Sequence, residues 1–431
     1  MIQSRLSQAE ISHTLSKALT NSELLHADDS AILFYDLTAI KARVEALKRA
    51  FPPGTLHAVA VKANPLLKIL SFANSLHTGA EVASLPELYL AEKAGFGPGQ
   101  IVYDSPCKTR EELEYALKTG VSINADSFEE LGRIAEILNT IKSGSVIGLR
   151  INPQVGPGSI KTTSVADGIS KFGIPLAQNR EKIIQCYLQY PWLQSIHVHI
   201  GSQGCPVPLL VAGIRRVLDL CIDVNELLQQ QSAPNRILNF DIGGGLPVSY
   251  HPGKDAVGMQ QFVSMLQSSC NELFSGQYRI ITEYGRYIHA NAGWVASKVE
   301  YVKREPGYNI IITHVGADLF LRKCYNPADW HHHITVTDKH GHIKTGIDPV
   351  KYTVAGPLCF AGDVLATDLE LPVVEEGDFL ILHDAGAYTL SMWSRYNSRQ
   401  MPVVIGYHET GNDFEILRRR ETPDDLLEFW S

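Results

Sequence analysis

From residue 31 to about residue 294 the hydrophobic and polar positions follow two alternating rhythms. Short apolar, β-branched runs occupy 57–62, 79–84, 101–105, 121–126, 146–152, 195–201, 237–242 and 278–283. Between them lie stretches with apolar residues at helical spacing, so the pattern predicts eight strands, each followed by a helix. An earlier strand, Ala31-Ile32-Leu33-Phe34-Tyr35 ending at Asp36, leads into a helix with Ile40, Val44 and Leu47 on one face. Asp36 or Thr38 is its candidate N-cap, and Pro52-Pro53-Gly54 closes it. Three later helix starts carry Ser/Thr-x-x-Glu: Ser84 to Glu87, Thr109 to Glu112 and Ser127 to Glu130. In each, the hydroxyl can accept an amide of the first turn while the glutamate reaches back. A helix after every strand carries the chain back across the sheet, so neighbouring strands run parallel. Eight such units predict a (β/α)8 barrel rather than an open doubly wound sheet.

Past Gly293 the helical period fades. β-rich runs at 295–303, 308–313, 332–337, 351–355, 363–371, 378–382 and 402–408, separated by turns such as Glu376-Gly377-Asp378, predict a mostly antiparallel β domain. The expected organisation is an N-terminal segment, 1–36, contributing to that domain, a barrel at 37–294 and the β domain at 295–431.

Composition narrows the function classes. A net charge of −8 over 431 residues leaves no electrostatic footprint for nucleic acid, so an anionic ligand needs a local basic pocket. Seven cysteines stand singly at 107, 186, 205, 221, 270, 324 and 359, with no Cys-x-x-Cys pair, which favours reduced thiols and a cytoplasmic protein. No apolar stretch approaches the length of a membrane span, so no membrane partner is expected.

In a barrel the site forms where the strands end, at the C-terminal face. Lys62 and Asn64 end the first strand, Glu81 and Ser84 lie at the second, and Arg150 and Asn152 end the fifth. His197, His199, Ser202 and Gln203 end the sixth, Asp241 and Gly243-Gly244-Gly245 the seventh, Glu283 and Arg286 the eighth. Taken singly, each has a bland explanation: a lysine snorkels, a histidine is a satisfied core group, a glycine run is a turn. Taken together at matched positions they point to chemistry. The glycine run can turn successive amides toward one anion after the seventh strand, where such barrels bind phosphate, and Arg286 adds charge there. Lys62, once stripped of its proton, can attack an aldehyde. A lysine, a phosphate cradle and a carboxylate aimed at a ring nitrogen describe pyridoxal phosphate. His331-His332-His333 cannot all face one ion from a strand end, so they are expected as surface residues and no metal is expected.

The runs Ala60-Val61-Lys62-Ala63-Asn64, Ser170-Lys171-Phe172-Gly173, His197-Val198-His199-Ile200-Gly201-Ser202-Gln203, Asp241-Ile242-Gly243-Gly244-Gly245 and Glu283-Tyr284-Gly285-Arg286 carry a resemblance. They resemble the fold type III pyridoxal-phosphate decarboxylases, the group of diaminopimelate, ornithine and arginine decarboxylases, with the diaminopimelate branch nearest in motif order. The resemblance implies an alanine-racemase-like barrel with a β domain, and a homodimer with shared active sites. It implies Lys62 as the cofactor's lysine and Glu283 as the partner of its ring nitrogen, with His199 stacked on its face. Ser202, Gly243, Gly244, Gly245, Gly285 and Arg286 would hold the phosphate, Arg286 also facing the substrate carboxylate. Gly356-Pro357-Leu358-Cys359 resembles the loop that brings a cysteine into the partner's site, and Gly386-Ala387-Tyr388 the segment whose tyrosine touches cofactor and substrate. Cys359 or Lys62 would return a proton to carbon. Arg322, Tyr325 and Phe360 are the remaining substrate-binding candidates.

Two stretches depart from the branch pattern. Cys359-Phe360-Ala361-Gly362-Asp363 stands where the diaminopimelate branch has Cys-Glu-Ser-Gly-Asp, and the tyrosine of Arg322-Lys323-Cys324-Tyr325 lies one residue nearer the arginine than in Arg-Pro-x-x-Tyr. The expected activity is therefore decarboxylation of an amino acid without a free distal ammonium. The alternatives are meso-diaminopimelate decarboxylase making L-lysine, and a catalytically silent relative that binds a partner protein.

Overall fold

The computed structural model describes residues 6–346, 348–409, 411 and 413–431; the first five residues of the expected N-terminal segment lie outside these. Two compact units emerge, one of Arg43–Val248 with Ala256–Tyr287, the other of residues up to Ala42, Ser249–Asp255 and Ile288–Ser431.

The first strand, β1 (Ala31–Asp36), belongs to the second unit. The first unit holds β2 (Leu56–Ala60), β3 (Gly79–Val82), β4 (Ile101–Asp104), β5 (Ser122–Ala125), β6 (Ile147–Asn152), β7 (Ile174–Pro175), β8 (Leu193–Val198), β9 (Asn239–Asp241) and β10 (Arg279–Thr282). Eight of them form a closed parallel barrel in the order β5-β4-β3-β2-β10-β9-β8-β6, with β6 pairing back to β5 and β7 a short spur on β6. Every barrel strand overlaps an apolar run in the sequence. Leu56, Ala58, Val102 and Ile281 form an apolar cluster among these strands. Polar groups gather nearer the C-terminal ends: register sets Arg150 beside His197 and His197 beside Asp241 across β6, β8 and β9.

Capping explains where four of the helices begin. Thr109 and Glu112 form a full reciprocal box. Ser84 and Ser127 accept the expected amides, but their glutamates reach one residue further back, to the N–H groups of Ala83 and Asp126. Asp36 accepts the amide of Ala39 at 2.8 Å, which selects it over Thr38 at the start of the helix Leu37–Ala50.

The second unit completes the strand set with β11 (Gly293–Glu305), β12 (Tyr308–Thr313), β13 (Ile334–Thr337), β14 (Val350–Ala355), β15 (Val364–Leu371), β16 (Phe379–Leu382), β17 (Val403–His408) and β18 (Asp413–Arg418). They form one sheet, β15-β14-β12-β11-β1-β17-β18, with β16 on β11 and β13 on β16. Most pairings are antiparallel; β1 with β17 and β12 with β14 run parallel. Phe34 stacks on Trp294 with ring centroids 4.1 Å apart, and Trp294 donates its indole N–H to the Tyr407 hydroxyl at 3.1 Å. These aromatic groups anchor a core that includes Ile11, Leu15, Ile32, Ile381 and Ile405.

No helix among the described residues is long and apolar enough to cross a membrane. All seven cysteines are free thiols.

Candidate active site

Lys62 sits in a single 3-10 turn, Val61–Ala63, directly after β2. Its Nζ lies 2.5 and 2.6 Å from the two carboxylate oxygens of Glu81 on the adjacent strand. Glu81 is wholly buried, and that burial, opposed by the Lys62 charge, pushes its carboxyl up to about 8.

Glu283 follows β10, and its backbone N–H is fixed on the Gly243 carbonyl at 2.9 Å. Its Oε1 is buried without a hydrogen-bond partner. Burial pushes the carboxyl up, but the neighbouring His197, with His199 beside it, outweighs burial and holds Glu283 below the usual range. His199 lies just past β8. Its Nδ1 accepts the Gly244 N–H at 3.2 Å and stands 3.5 Å from Glu283 Oε2. Arg286 donates from Nε to Ser202 Oγ at 3.2 Å.

The glycine run lies beside this group. A Cβ on Gly245 would lie 2.1 Å from the Gly201 carbonyl oxygen, and φ is +101° there, so any side chain is excluded on both counts. Gly285 opens a one-turn helix, and its missing Cβ lets that turn settle on Ala60 and Ala63, flanking Lys62. Phe172, from the Ser-Lys-Phe-Gly run, packs against the Arg150 guanidinium at 4.7 Å. Lys62, His199, Ser202, the glycines, Glu283, Gly285 and Arg286 are thus held within the barrel unit.

The remaining candidates lie in the β unit. The Arg322 guanidinium is sandwiched between the rings of Trp330 and Tyr388, at 4.7 and 4.6 Å. Tyr388 holds φ at +56°, a left-handed conformation uncommon for a tyrosine. Tyr325 stacks on Phe360 at 5.6 Å, and Tyr396 meets the Phe360 ring edge-on at 6.1 Å. Cys359 is exposed; its N–H donates to Asn397 Oδ1 at 2.7 Å and its carbonyl accepts from the Tyr396 hydroxyl at 3.1 Å. The histidine triplet differs from expectation. It is half-buried, with His331 stacked on His251 at 4.0 Å and His332 Nδ1 2.9 Å from the His383 carbonyl. Burial and neighbouring positive groups push His331 down to about 4, so the three are packing groups rather than free surface residues.

Residues 37–290 match the pyridoxal binding domain of the pyridoxal-dependent decarboxylases. The chain belongs to that family. Two curated relatives are the diaminopimelate decarboxylases of Archaeoglobus fulgidus and Aquifex aeolicus. Each is 32% identical to this decarboxylase over 94% of the chain, and the match spans 94% and 93% of the relatives. Among solved structures, the Helicobacter pylori diaminopimelate decarboxylase complexed with L-lysine superposes with a TM-score of 0.82 at 29% identity, covering 95% of this chain and 98% of that one. A lysine/ornithine decarboxylase from Vibrio vulnificus shares the fold at a TM-score of 0.75, 21% identity and coverage of 93% and 99%.

The decarboxylase works with pyridoxal phosphate, and its barrel suits that group. Glu283 Oε1, buried and unpartnered, lacks the N–H that a ring nitrogen supplies, and the Arg286 guanidinium bonded to the Ser202 hydroxyl offers charge and a polar group to a phosphate. One oxygen or nitrogen from each of His197, His199 and Glu283 also falls within 4.8 Å of the others, a spacing open to an ion.

Sequence reading assigned no role to Glu81, Asp104, Arg150, His197 or Asp241, although four of them stood among the strand-end polar residues. Asp104 was the one passed over. It closes β4, and a carboxylate ending an otherwise apolar strand was the signal available.

Proposed function

We propose that this decarboxylase removes the α-carboxylate of an amino acid whose far end carries no free ammonium. The observation that carries the substrate class is Phe360. The resemblance puts a glutamate at that position in the diaminopimelate branch, where its charge meets a distal amine. Here a ring stands there, packed between Tyr325 and Tyr396. An ammonium without its carboxylate is penalised by about 3–5 kcal/mol, and cation–π attraction returns only about 0.5–2 kcal/mol. Arg322, held flat between two rings, suits a planar acceptor such as a carboxylate or amide. The second reading is meso-diaminopimelate decarboxylation to L-lysine. It has the broader support, because the most similar relatives carry that name and two solved relatives hold L-lysine.

Bound pyridoxal phosphate supplies the electron sink that accepts the pair left when carbon dioxide departs. Lys62 would hold the cofactor through its aldehyde, its amine positioned by the two oxygens of Glu81. Glu283, ionised, would face the ring nitrogen, and His199, fixed by the Gly244 amide, would cover the ring face. Ser202, Arg286 and the glycine run around Gly245 would hold the phosphate, Arg286 also facing a substrate carboxylate, while the Gly243 and Gly244 amides stay with Asp241 and His199. By the resemblance, Tyr388 would touch cofactor and substrate. Cys359 or Lys62 then returns a proton to the α-carbon. The proposal includes a homodimer in which Cys359 serves the partner's site, supported by the resemblance.

The test measures carbon dioxide release from meso-diaminopimelate, lysine and ornithine against N-acylated and carboxylate-tailed amino acids. The expected result is turnover of the second group, with Phe360→Glu shifting activity toward diaminopimelate. Efficient release from meso-diaminopimelate, indifferent to Phe360→Glu, would sink the first reading and leave the second.

A further inference from the structure

His197, on β8, has no exposed surface. Its Nδ1 lies 3.5 Å from Asp104 Oδ1 and its Nε2 lies 3.5 Å from Glu283 Oε1. Neither ring nitrogen forms a proper hydrogen bond, so what the imidazole offers the two carboxylates is charge. The other Asp104 oxygen accepts from Arg150 Nη1 at 2.8 Å, and the same nitrogen lies 3.7 Å from Asp126. Arg150, Asp104, His197 and Glu283 therefore form a line of alternating sign through the barrel. Asp241 faces His197 from β9, Lys108 adds positive charge near Asp104, and Lys62 and His199 act on Glu283 from the cofactor side.

We propose that His197 is the positioning residue that keeps Glu283 ionised, and so keeps the cofactor's ring nitrogen protonated. The inference rests on the reading of Glu283 as the partner of that nitrogen. It answers a difficulty posed by the neighbouring acids. Glu81 and Asp241 are as deeply buried as Glu283, and burial drives both up to about 8, into their neutral forms at pH 7. A neutral Glu283 could not hold a proton on the ring. Burial works against charge on His197 too, but the carboxylates of Asp104 and Glu283 outweigh it and hold the imidazole at about 9. The imidazolium thus touches Glu283 directly and biases it toward the anion.

The test reads the cofactor without turnover. Apoprotein is loaded with pyridoxal phosphate carrying a ring nitrogen-15 label, and separately with the analogue in which carbon replaces that nitrogen. Wild type is expected to show a protonated ring nitrogen and to prefer the true cofactor. His197→Gln, polar but unable to carry charge, is expected to shift the resonance toward the unprotonated form and cut the preference by about tenfold, the equivalent of one pKa unit. Glu283→Gln should do the same more fully, while a simple packing defect would weaken both ligands alike. A protonated nitrogen and intact preference in His197→Gln, with both lost in Glu283→Gln, would overturn the role of His197. Both retained in Glu283→Gln would overturn the reading of Glu283 instead. If His197→Gln does not fold, Asp104→Asn, which removes the second carboxylate holding the imidazole charged, must move the resonance in the same direction or the proposal fails.

Discussion

Asp241→Asn is expected to stabilise the apoprotein, and to do so more strongly as pH rises. Asp241 is 1% exposed; its Oδ1 accepts the Gly243 amide at 2.9 Å and its Oδ2 lies 3.4 Å from the Asn124 side-chain amide. Burial, with the Glu283 charge adding to it, lifts the carboxyl from 3.8 to about 8. The native chain thus keeps a proton that the unfolded chain releases. Between about pH 4 and 8 the unfolded state binds fewer protons, so stability falls as pH rises through that window. Each pKa unit is worth about 1.4 kcal/mol, and about three units separate the unfolded carboxyl from pH 7, which sets a ceiling of roughly 4 kcal/mol. Rearranged neighbours and admitted water absorb part of it, leaving a gain on the order of 2–4 kcal/mol near neutrality. Asparagine has the same shape, still accepts from Gly243 and never ionises. Urea unfolding of both apoproteins at about pH 5, 6, 7 and 8 should give stabilities that diverge with pH, with the variant higher. A gap that stays constant, or a variant that is less stable at every pH, would refute the assignment of Asp241 as a neutral buried acid. Cofactor is left out because ligand binding adds its own stabilisation.

Other outcomes follow from the same geometry. Gly245→Ala should lose at least about 1–2 kcal/mol of stability to left-handed strain, with more from the clash with the Gly201 carbonyl, and should weaken pyridoxal phosphate binding in a fluorescence titration. His57 Nδ1 lies 2.9 Å from Thr282 Oγ1, and burial pushes the ring from 6.5 to about 4. It therefore supports a stability present above about pH 6.5 and lost as pH falls toward 4, worth about 3 kcal/mol, and His57→Gln should flatten that limb of an acid-unfolding profile. Mixing Lys62→Ala protein with Cys359→Ala protein should restore carbon dioxide release, since a hybrid dimer would hold one intact site; no recovery after proven subunit exchange would count against Cys359 acting in the partner.

The barrel was legible because each strand repeats one local device, an apolar run closed by a polar end and followed by a helix, with three of those helices opened by a capping serine or threonine, and local devices survive in a single sequence. Asp413–Arg418 went unread because its apolar residues alternate with charges over too few positions to stand out from a loop. The helix Leu321–Tyr325, which carries Arg322 and Tyr325, is too short to declare a period. Among the site residues, Lys62 was found from its position at a strand end, but its bond to Glu81 depends on how β2 and β3 align. The line from Arg150 to Glu283 depends likewise on alignment across four strands. Such register is a property of the assembled sheet, and no short stretch of sequence encodes it.

Strand β1 carries a consequence for synthesis. Ile32 pairs with Ala296 on one side and with Val403 on the other. A strand made within the first few dozen residues therefore finds its second neighbour only after roughly 370 more have been added, while the barrel strands have all been translated by Thr282. The barrel can close while the remainder is still on the ribosome. Until then β1, whose six residues are all buried at the end, is an unpaired apolar edge. The vulnerable interval in the birth of this enzyme thus belongs to its earliest strand, and chaperone dependence or aggregation during expression should track the rate at which the last third of the message is read.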